Sequence, residues 1–454
     1  SLPPHPSPLP QGGEGKGRRS SSLSKPEFDS GLSSRRTSSI HLGQSPLPRE
    51  RVRVRGCSTA HSDRTIHSRQ RSTKGVPRSG GLFTVHIADI TMFYAPASGG
   101  VRTYLDAKHR RLGFKPGIRH SLLIPGARFG EHDGVYTVPA PALPFGKGYR
   151  FPLRLAPWRN VLQDLQPDLI EVGDPYLTAW AALDARRQLD VPVIGFYHSD
   201  LPLLVGNRMG HWVTPNVEAY VIKLYGNFDR VLAPSQVMAD KLTGLGVRNV
   251  FVQPLGVDLQ TFHPEARDPN LRAQLGIAED TRLLIYAGRG SKEKNLPVLL
   301  KCMQRLGPRY HLLLVGSSMP AVVPDNVSVI DEFCPAPRVA QLMASADALI
   351  HAGDQETFGL VILEAMACGI PVVAVAAGAF EEIVNESCGL LCAPNNPQAM
   401  ANAVREVFSR GTVKLGEQAR QHVEQHYAWD TVVDSLLGHY HAVLGHALPK
   451  VANG

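Results

Sequence analysis

The sequence predicts an α/β protein with two doubly wound parallel sheets facing each other across a cleft. Three observations carry that prediction. Short continuous runs of Val, Ile, Leu and Ala recur along the chain, as buried parallel strands do, without the alternation of a half-exposed sheet. Helical patterns separate most of them. The runs also fall into two series of similar size, parted by the turn-rich stretch Pro254-Leu255-Gly256-Val257-Asp258 to Phe262-His263-Pro264.

The first series begins with Phe83–Ile90, followed by a Gly99-Gly100 turn and a helical stretch to about Leu112. It continues with strand-like runs at His120–Ile124, Asp168–Val172, Val191–Tyr197 and Arg230–Ala233. The second comprises Arg282–Ala287, His311–Val315, Val327–Ile330, Ala348–His351 and Pro371–Val375. This divides the chain into a tail at 1–80, an N-terminal domain at 81–260 and a C-terminal domain at 261–429. A last helix near 430–446 packs back on the first domain, with Trp429 at the crossing. Ligands of such sheets sit beyond the carboxyl ends of the strands.

Composition narrows the function classes. The 454 residues, 43% hydrophobic, suffice for two or three cores. The net charge of +8 is misleading, because residues 1–80 hold 15 Lys and Arg against 5 acids and the remainder is nearly neutral. Specific nucleic-acid binding by the folded part is therefore not expected. No run approaches eighteen uncharged apolar residues, and six cysteines are too few for a disulfide scaffold. The pair Cys388 and Cys392 reads as buried free thiols.

Residues 1–80, with seventeen Ser and no apolar period, read as disordered. An organellar leader, a nonspecific nucleic-acid arm and a segment without function all fit. The first methionine is Met92, and Ser-Pro-Leu-Pro recurs at 7–10 and 45–48, as in translated intergenic repeats. Both favour the third reading, with functional protein expected from near Leu82.

The strongest chemical signal is Asp354-Gln355-Glu356-Thr357-Phe358-Gly359-Leu360, running on to Glu364 and Gly369 between a strand and a helix. Free amides at 357–360 would face an anion, and Glu356 and Glu364 would bracket a polar ligand. An amphipathic helix with a glutamate near its N-terminus accounts for the same residues equally well. A second crossover, Gly288-Arg289-Gly290-Ser291-Lys292-Glu293-Lys294-Asn295, places Arg289 and Lys294 where they would meet one anion. Exposed cations before a helix are usually only solvated. Two cations and an open helix N-terminus in one cleft suggest a leaving diphosphate.

Glu356-x7-Glu364 with its Phe-Gly-Leu insert, then Glu-Ala-Met-Ala-Cys-Gly-Ile-Pro-Val-Val, resembles the retaining glycosyltransferases of family 4. Gly99-Gly100, His198-Ser199-Asp200, Ala233-Pro234-Ser235, Gly256-Val257-Asp258 and Gly288-Arg289 with Lys294 fit as well, over about residues 82–446. Gly290 and Asn295 depart from the commoner family residues. The resemblance implies the GT-B fold of two Rossmann-like domains. Arg289 and Lys294 would stabilise the leaving nucleoside diphosphate, and the amides of Thr357, Phe358, Gly359 and Leu360 would bind the same phosphate. Glu364 would hold the ribose, Glu356 the donor sugar hydroxyls, and His198 the sugar from the N-terminal side. Gly99 and Gly100 would let the first loop close over the phosphates next to Gly288, and the base would lie near Phe333. The chain contains no Asp-x-Asp, so the expectation is metal-independent retaining transfer without a cofactor.

The expected partners are a nucleotide sugar, with GDP-mannose preferred, and a sugar or lipid-linked acceptor. Residues 100–160 carry eleven Lys and Arg, including Lys108 and Lys147, against three acids. Phe114, Tyr149, Phe151, Leu153, Leu155 and Trp158 are interleaved with them. This reads either as a solvated surface or as a face resting on anionic lipid. The apolar Leu201–Val205 would line an acceptor channel. The pattern is similar to the lipid-glycosylating mannosyl- and sulfoquinovosyl-transferases of the family. That implies a cytoplasmic enzyme, peripheral on the inner membrane face. The alternatives are an epimerase or phosphorylase of the same fold, or a noncatalytic nucleotide-binding module.

Overall fold

The computed structural model describes residues 84–95, 99–143 and 148–445; the tail expected to be disordered, and Lys147, lie outside them. The first sheet contains β1 (Val85–Ile90), β2 (Ile118–Gly126), β3 (Gly130–His132), β4 (Val135–Pro139), β5 (Leu169–Val172), β6 (Val193–Phe196), β7 (Arg230–Ala233) and β8 (Val250–Val252). Their order is β3-β4-β2-β1-β5-β6-β7-β8. The second contains β9 (Arg282–Ala287), β10 (Tyr310–Val315), β11 (Val327–Ile330), β12 (Ala348–His351), β13 (Val372–Val375) and β14 (Gly389–Cys392), in the order β11-β10-β9-β12-β13-β14. β3 runs antiparallel to β4, and the other pairings are parallel. These are the two doubly wound sheets that the sequence predicts.

Every residue of β1, β5, β6, β10, β12 and β13 is buried, because helices cover both faces of each sheet. Strand order reverses around β1 in the first sheet and between β9 and β12 in the second. The loops after β9 and β12 therefore open on one crevice, where open parallel sheets bind ligands.

Four strands lie outside the ten apolar runs; one is β14, four residues long and half-buried at its centre. β3 is fully exposed, β4 mostly half-buried, and β8 is three residues long with Phe251 exposed. The β3–β4 hairpin did carry a signal. Asp133 and Gly134 take φ of 50° and 77°, and an Asp-Gly pair is what such a tight hairpin turn favours.

The last helix, Trp429–Leu444, returns to the first sheet. Gln253 Nε2 donates to the Val432 carbonyl at 3.2 Å, and Lys115 pairs with Asp434 at 2.6 Å. Trp429 is buried and packs 5.7 Å from the Tyr104 ring.

The same helix closes a buried charge network. Lys108 Nζ, fully buried, lies 2.9 Å from Asp89 Oδ1 and 2.6 Å from Glu171 Oε1. Tyr440 donates its hydroxyl to Glu171 Oε2 at 2.6 Å. Burial pulls Lys108 downward, yet the two carboxylates outweigh it and hold the ammonium above its ordinary pKa. Burial raises Glu171, while Asp89 is depressed because Lys108 and His120 overcome its desolvation.

Two members of the expected basic face belong elsewhere. Lys108 neutralises this network, and Trp158 is fully buried against the first sheet. A charged or aromatic residue at a helix's core-facing position cannot be told from a surface one by counting. Phe114 and Leu153, at 87% and 71% exposure, do lie on the surface.

Lys108→Met should cost about 3–5 kcal/mol, because it strands two buried carboxylates without a cation. Urea titration checks this; a loss below about 1 kcal/mol would mean that water reaches the network.

Candidate functional site

Lys294 and Glu356 come from the two loops at the reversal of the second sheet, after β9 and β12. Their ammonium and carboxylate form a direct ion pair, both largely buried. Burial opposes ionisation of Glu356, but Lys294 above all, and Arg289 from further off, hold its carboxyl below the ordinary value. Arg289 is exposed at the mouth, near enough to act on Glu356.

The loop geometry explains both departures noted in the sequence. A Cβ on Gly290 would stand 1.9 Å from the Ser318 carbonyl oxygen, so the backbones approach too closely for any side chain. Asn295 takes φ of 52°, which asparagine tolerates nearly as well as glycine, and its amide donates to Asn395 Oδ1 at 2.6 Å.

Gly359 caps the helix Leu360–Ala367 with φ of 95°, and a Cβ there would meet the Phe380 ring at 2.5 Å. First-turn amides of a helix have no intrahelical acceptor, so those around Leu360 are offered to a ligand. The N-terminus of the helix Gly100–Gly113 approaches from the first domain; the Cβ position of Gly100 is 3.0 Å from Leu360 Cδ1. Two helix N-termini thus meet beside the loop that carries Glu356, on which Lys294 and Arg289 act.

The loop Ala352–Gly359 is also tied to the first domain. Ser235 Oγ donates to the Thr357 carbonyl at 2.9 Å, and Thr357 Oγ1 to the His198 carbonyl at 3.3 Å. Asn207 Nδ2 donates to Gln355 Oε1 at 2.9 Å. The Glu382 carboxylate accepts the Gln236 and Val237 amides, each at 2.8 Å, and so caps a first-domain helix from the second domain. Each bond contributes about 0.5–1.5 kcal/mol, and together they fix the loop against both sheets.

His198 stands across the cleft, stacked on Phe196 at 4.1 Å. Burial, then Lys108, lowers its pKa to about 3, so the imidazole is neutral. Its buried Nε2 has no hydrogen-bond partner among the described residues. That suits a hydrogen bond to an uncharged hydroxyl. Glu364 lies one turn inside the helix Leu360–Ala367, and burial raises its pKa to about 8. At neutral pH it is protonated and both donates and accepts. Phe333, 71% exposed, follows β11 at the edge of the sheet.

The structure therefore brings Gly100, Lys294, Glu356, Thr357, Phe358, Gly359 and Leu360 together, with Gly99, Gly288, Arg289 and His198 on the same cleft. Glu364 lies one turn further along the helix Leu360–Ala367, while Phe333 follows the edge strand β11 and is not among the residues brought together. Sequence reasoning missed His351, Ser235 as a tether, Asn207 and Glu382. His351 ends a strand at the sheet's reversal, which was the available signal; contacts between domains leave none. A cavity of about 360 Å³ lined by Pro234, Ser235, Phe358, Glu382, His422 and Tyr427 lies nearby. It shares Phe358 with the site but none of the charged side chains.

Comparison with known proteins bears on the family and the fold. Residues 267–426 match the family model for glycosyl transferases group 1, and residues 98–261 the model for glycosyltransferase family 4. A GDP-mannose-dependent alpha-(1-6)-phosphatidylinositol dimannoside mannosyltransferase of Mycobacterium tuberculosis is 31% identical over 374 residues, covering 78% of this chain and 95% of the relative. A GDP-mannose-dependent alpha-mannosyltransferase of Mycolicibacterium smegmatis is 31% identical, over 69% of this chain and 84% of its own. The sulfoquinovosyl transferase SQD2 of Arabidopsis thaliana is 26% identical, over 66% and 62%. Among solved structures, a sucrose-phosphate synthase of Thermosynechococcus elongatus superposes with a TM-score of 0.68 at 22% identity, over 80% of this chain and 99% of that one. Anabaena HepE, solved with UDP and glucose, gives 0.62 at 20% identity, over 79% and 100%. These two speak to the fold alone.

Because the folded-state pKa of Glu364 is raised from 4.5 to about 8, the native state holds the proton more tightly than the unfolded chain. This group's contribution is most favourable at low pH and falls by about 1.4 kcal/mol per unit from about pH 5 to about pH 8. Glu364→Gln should therefore gain stability over wild type as pH rises through that window. Thermal melts of the pair at pH 5.5 and 8.5 check it; a constant difference would show that Glu364 ionises freely.

Proposed function

We propose that this chain, which belongs to the glycosyltransferases of family 4 and transfers a sugar from a nucleotide sugar, uses GDP-mannose as donor and retains the anomeric configuration. The observation that carries the reading is the convergence of Lys294, Arg289 and the N-terminus of Leu360–Ala367 beside Glu356. Cations and free amides suit a leaving diphosphate, and a carboxylate at their edge suits the hydroxyls of the sugar attached to it. The mannose preference rests on the mycobacterial relatives.

In the resting site Lys294 neutralises the buried Glu356. An arriving diphosphate offers Lys294 a second anion, and the helix amides take the remaining phosphate oxygens. Negative charge grows on the bridging oxygen as the glycosidic bond breaks, where Lys294 and Arg289 stabilise it without a metal. Neutral His198 donates to or accepts from a sugar hydroxyl on the acceptor side. Protonated Glu364 bonds the ribose, and the base extends toward Phe333.

The acceptor reading is a lipid-linked hydroxyl. The segment after His198 carries Leu204, Met209 and Trp212, exposed at 50%, 62% and 75%, with Arg208 between them. Such a strip matches the headgroup region of an anionic membrane. Among the described residues no helix is long and apolar enough to cross one. The name of the Mycobacterium tuberculosis relative, a phosphatidylinositol dimannoside mannosyltransferase, points the same way.

Arg289→Ala, Lys294→Ala and Glu356→Gln should each lower turnover of the folded protein about 30- to 1000-fold, equivalent to about 2–4 kcal/mol of barrier; melting should stay unchanged in Arg289→Ala and fall in Lys294→Ala, which leaves the buried Glu356 unpaired. Nucleoside diphosphate release from a panel of sugar nucleotides measures it. Variants keeping more than about a tenth of wild-type turnover would overturn these roles. Activity should also survive EDTA; loss reversed by manganese or magnesium would show that a metal carries the leaving group. Binding to anionic vesicles should weaken in Arg150→Glu with Arg154→Glu, and indifference to that change would favour an acceptor that is not in a membrane.

A further inference from the structure

His351, the last residue of β12, is fully buried and has no part in the roles assigned above. The amide of Gly353 donates to its Nδ1 at 3.2 Å. An amide can only donate, so Nδ1 accepts, and in the neutral ring the proton sits on Nε2. That buried Nε2–H has no hydrogen-bond partner among the described residues. It stands 3.7 Å from Glu356 Oε1, the same oxygen that Lys294 holds. The ring cannot turn away, since Tyr286 packs 5.5 Å from it and Phe380 meets it edge-on at 5.0 Å. A donor is therefore fixed just beyond bonding distance of a carboxylate already occupied by a lysine.

We propose that His351 is a positioning residue for Glu356: when Lys294 turns to the donor diphosphate, the Nε2–H of His351 takes over the vacated carboxylate oxygen and aims Glu356 at the sugar. The inference rests on the reading of Lys294 and Glu356 given above. It adds what keeps Glu356 in place once its only direct ion-pair partner among the described residues has another anion to hold. A movement of under 1 Å brings Nε2 into hydrogen-bond range. The exchange also keeps a buried carboxylate from losing every donor at the moment the sugar is bound.

The test separates positioning from packing. His351→Asn keeps an acceptor for the Gly353 amide and loses the distal donor; His351→Gln restores a donor near the Nε2 position. The asparagine variant should lose about 10- to 100-fold in kcat while its KM for the donor and its Kd for GDP change less than about threefold, and glutamine should recover part of the loss. In a Glu356→Gln background, His351→Asn should cost almost nothing further, because the two act through one group. Full kcat in His351→Asn, no recovery in His351→Gln, or a cost that simply adds to that of Glu356→Gln would each overturn the proposal. Wild-type turnover in Glu356→Gln alone would overturn this proposal together with the reading beneath it. Thermal melts of the single variants identify any loss due to folding, in which case only the fraction still folded is compared.

Discussion

The pairing of β9 with β12 places two loops side by side, and the Lys294–Glu356 ion pair is what that adjacency produces. Neither charge would be stable alone so deep in the cleft. Each loop thus depends on the other for its conformation, and both depend on the strand order of the second sheet. A diphosphate that competes for Lys294 adds negative charge beside Glu356, which stays in the site, so Arg289 and the free helix amides must offset the added charge.

The first domain enters this arrangement through backbone and small side chains more than through charge. Ser235, the His198 carbonyl and Asn207 hold the donor loop, while Glu382 reaches the other way to cap a helix. These bonds exist only when the domains are close. Closure and the shape of the anion site are therefore one event, consistent with catalysis that relies on positioned charge. The buried network around Lys108 lies close to His198 and links the last helix to the first sheet.

Much of this was legible in the chain. Continuous apolar runs located ten of the strands, because helices bury both faces of these sheets. The spacing of Glu356, Gly359 and Glu364 put one glutamate before the helix and one inside it, and the helix does start between them, at Leu360. Arg289 and Lys294 were legible as a pair because both lie in the crossover between a strand end and a helix start. What escaped was of two kinds. Short or exposed strands such as β3 and β8 have no apolar run to show. Lys108 and Ser235 act on Glu171 and Thr357, 63 and 122 positions away in the chain, for which spacing carries no information; His351 lies close to Glu356 in sequence, but no motif marks it. Lys108 was misplaced on the surface for the same reason: its partners Asp89 and Glu171 lie on two different strands.

The central claim is that the diphosphate of a sugar nucleotide lies between Lys294, Arg289 and the N-terminus of Leu360–Ala367. A crystal structure of the chain with GDP-mannose tests this most directly. The account predicts a phosphate oxygen about 3 Å from Lys294 Nζ and another about 3 Å from the Leu360 amide, with sugar hydroxyls on Glu356. A nucleotide bound instead in the cavity beside Phe358 and His422, with the Lys294–Glu356 pair intact, would contradict it.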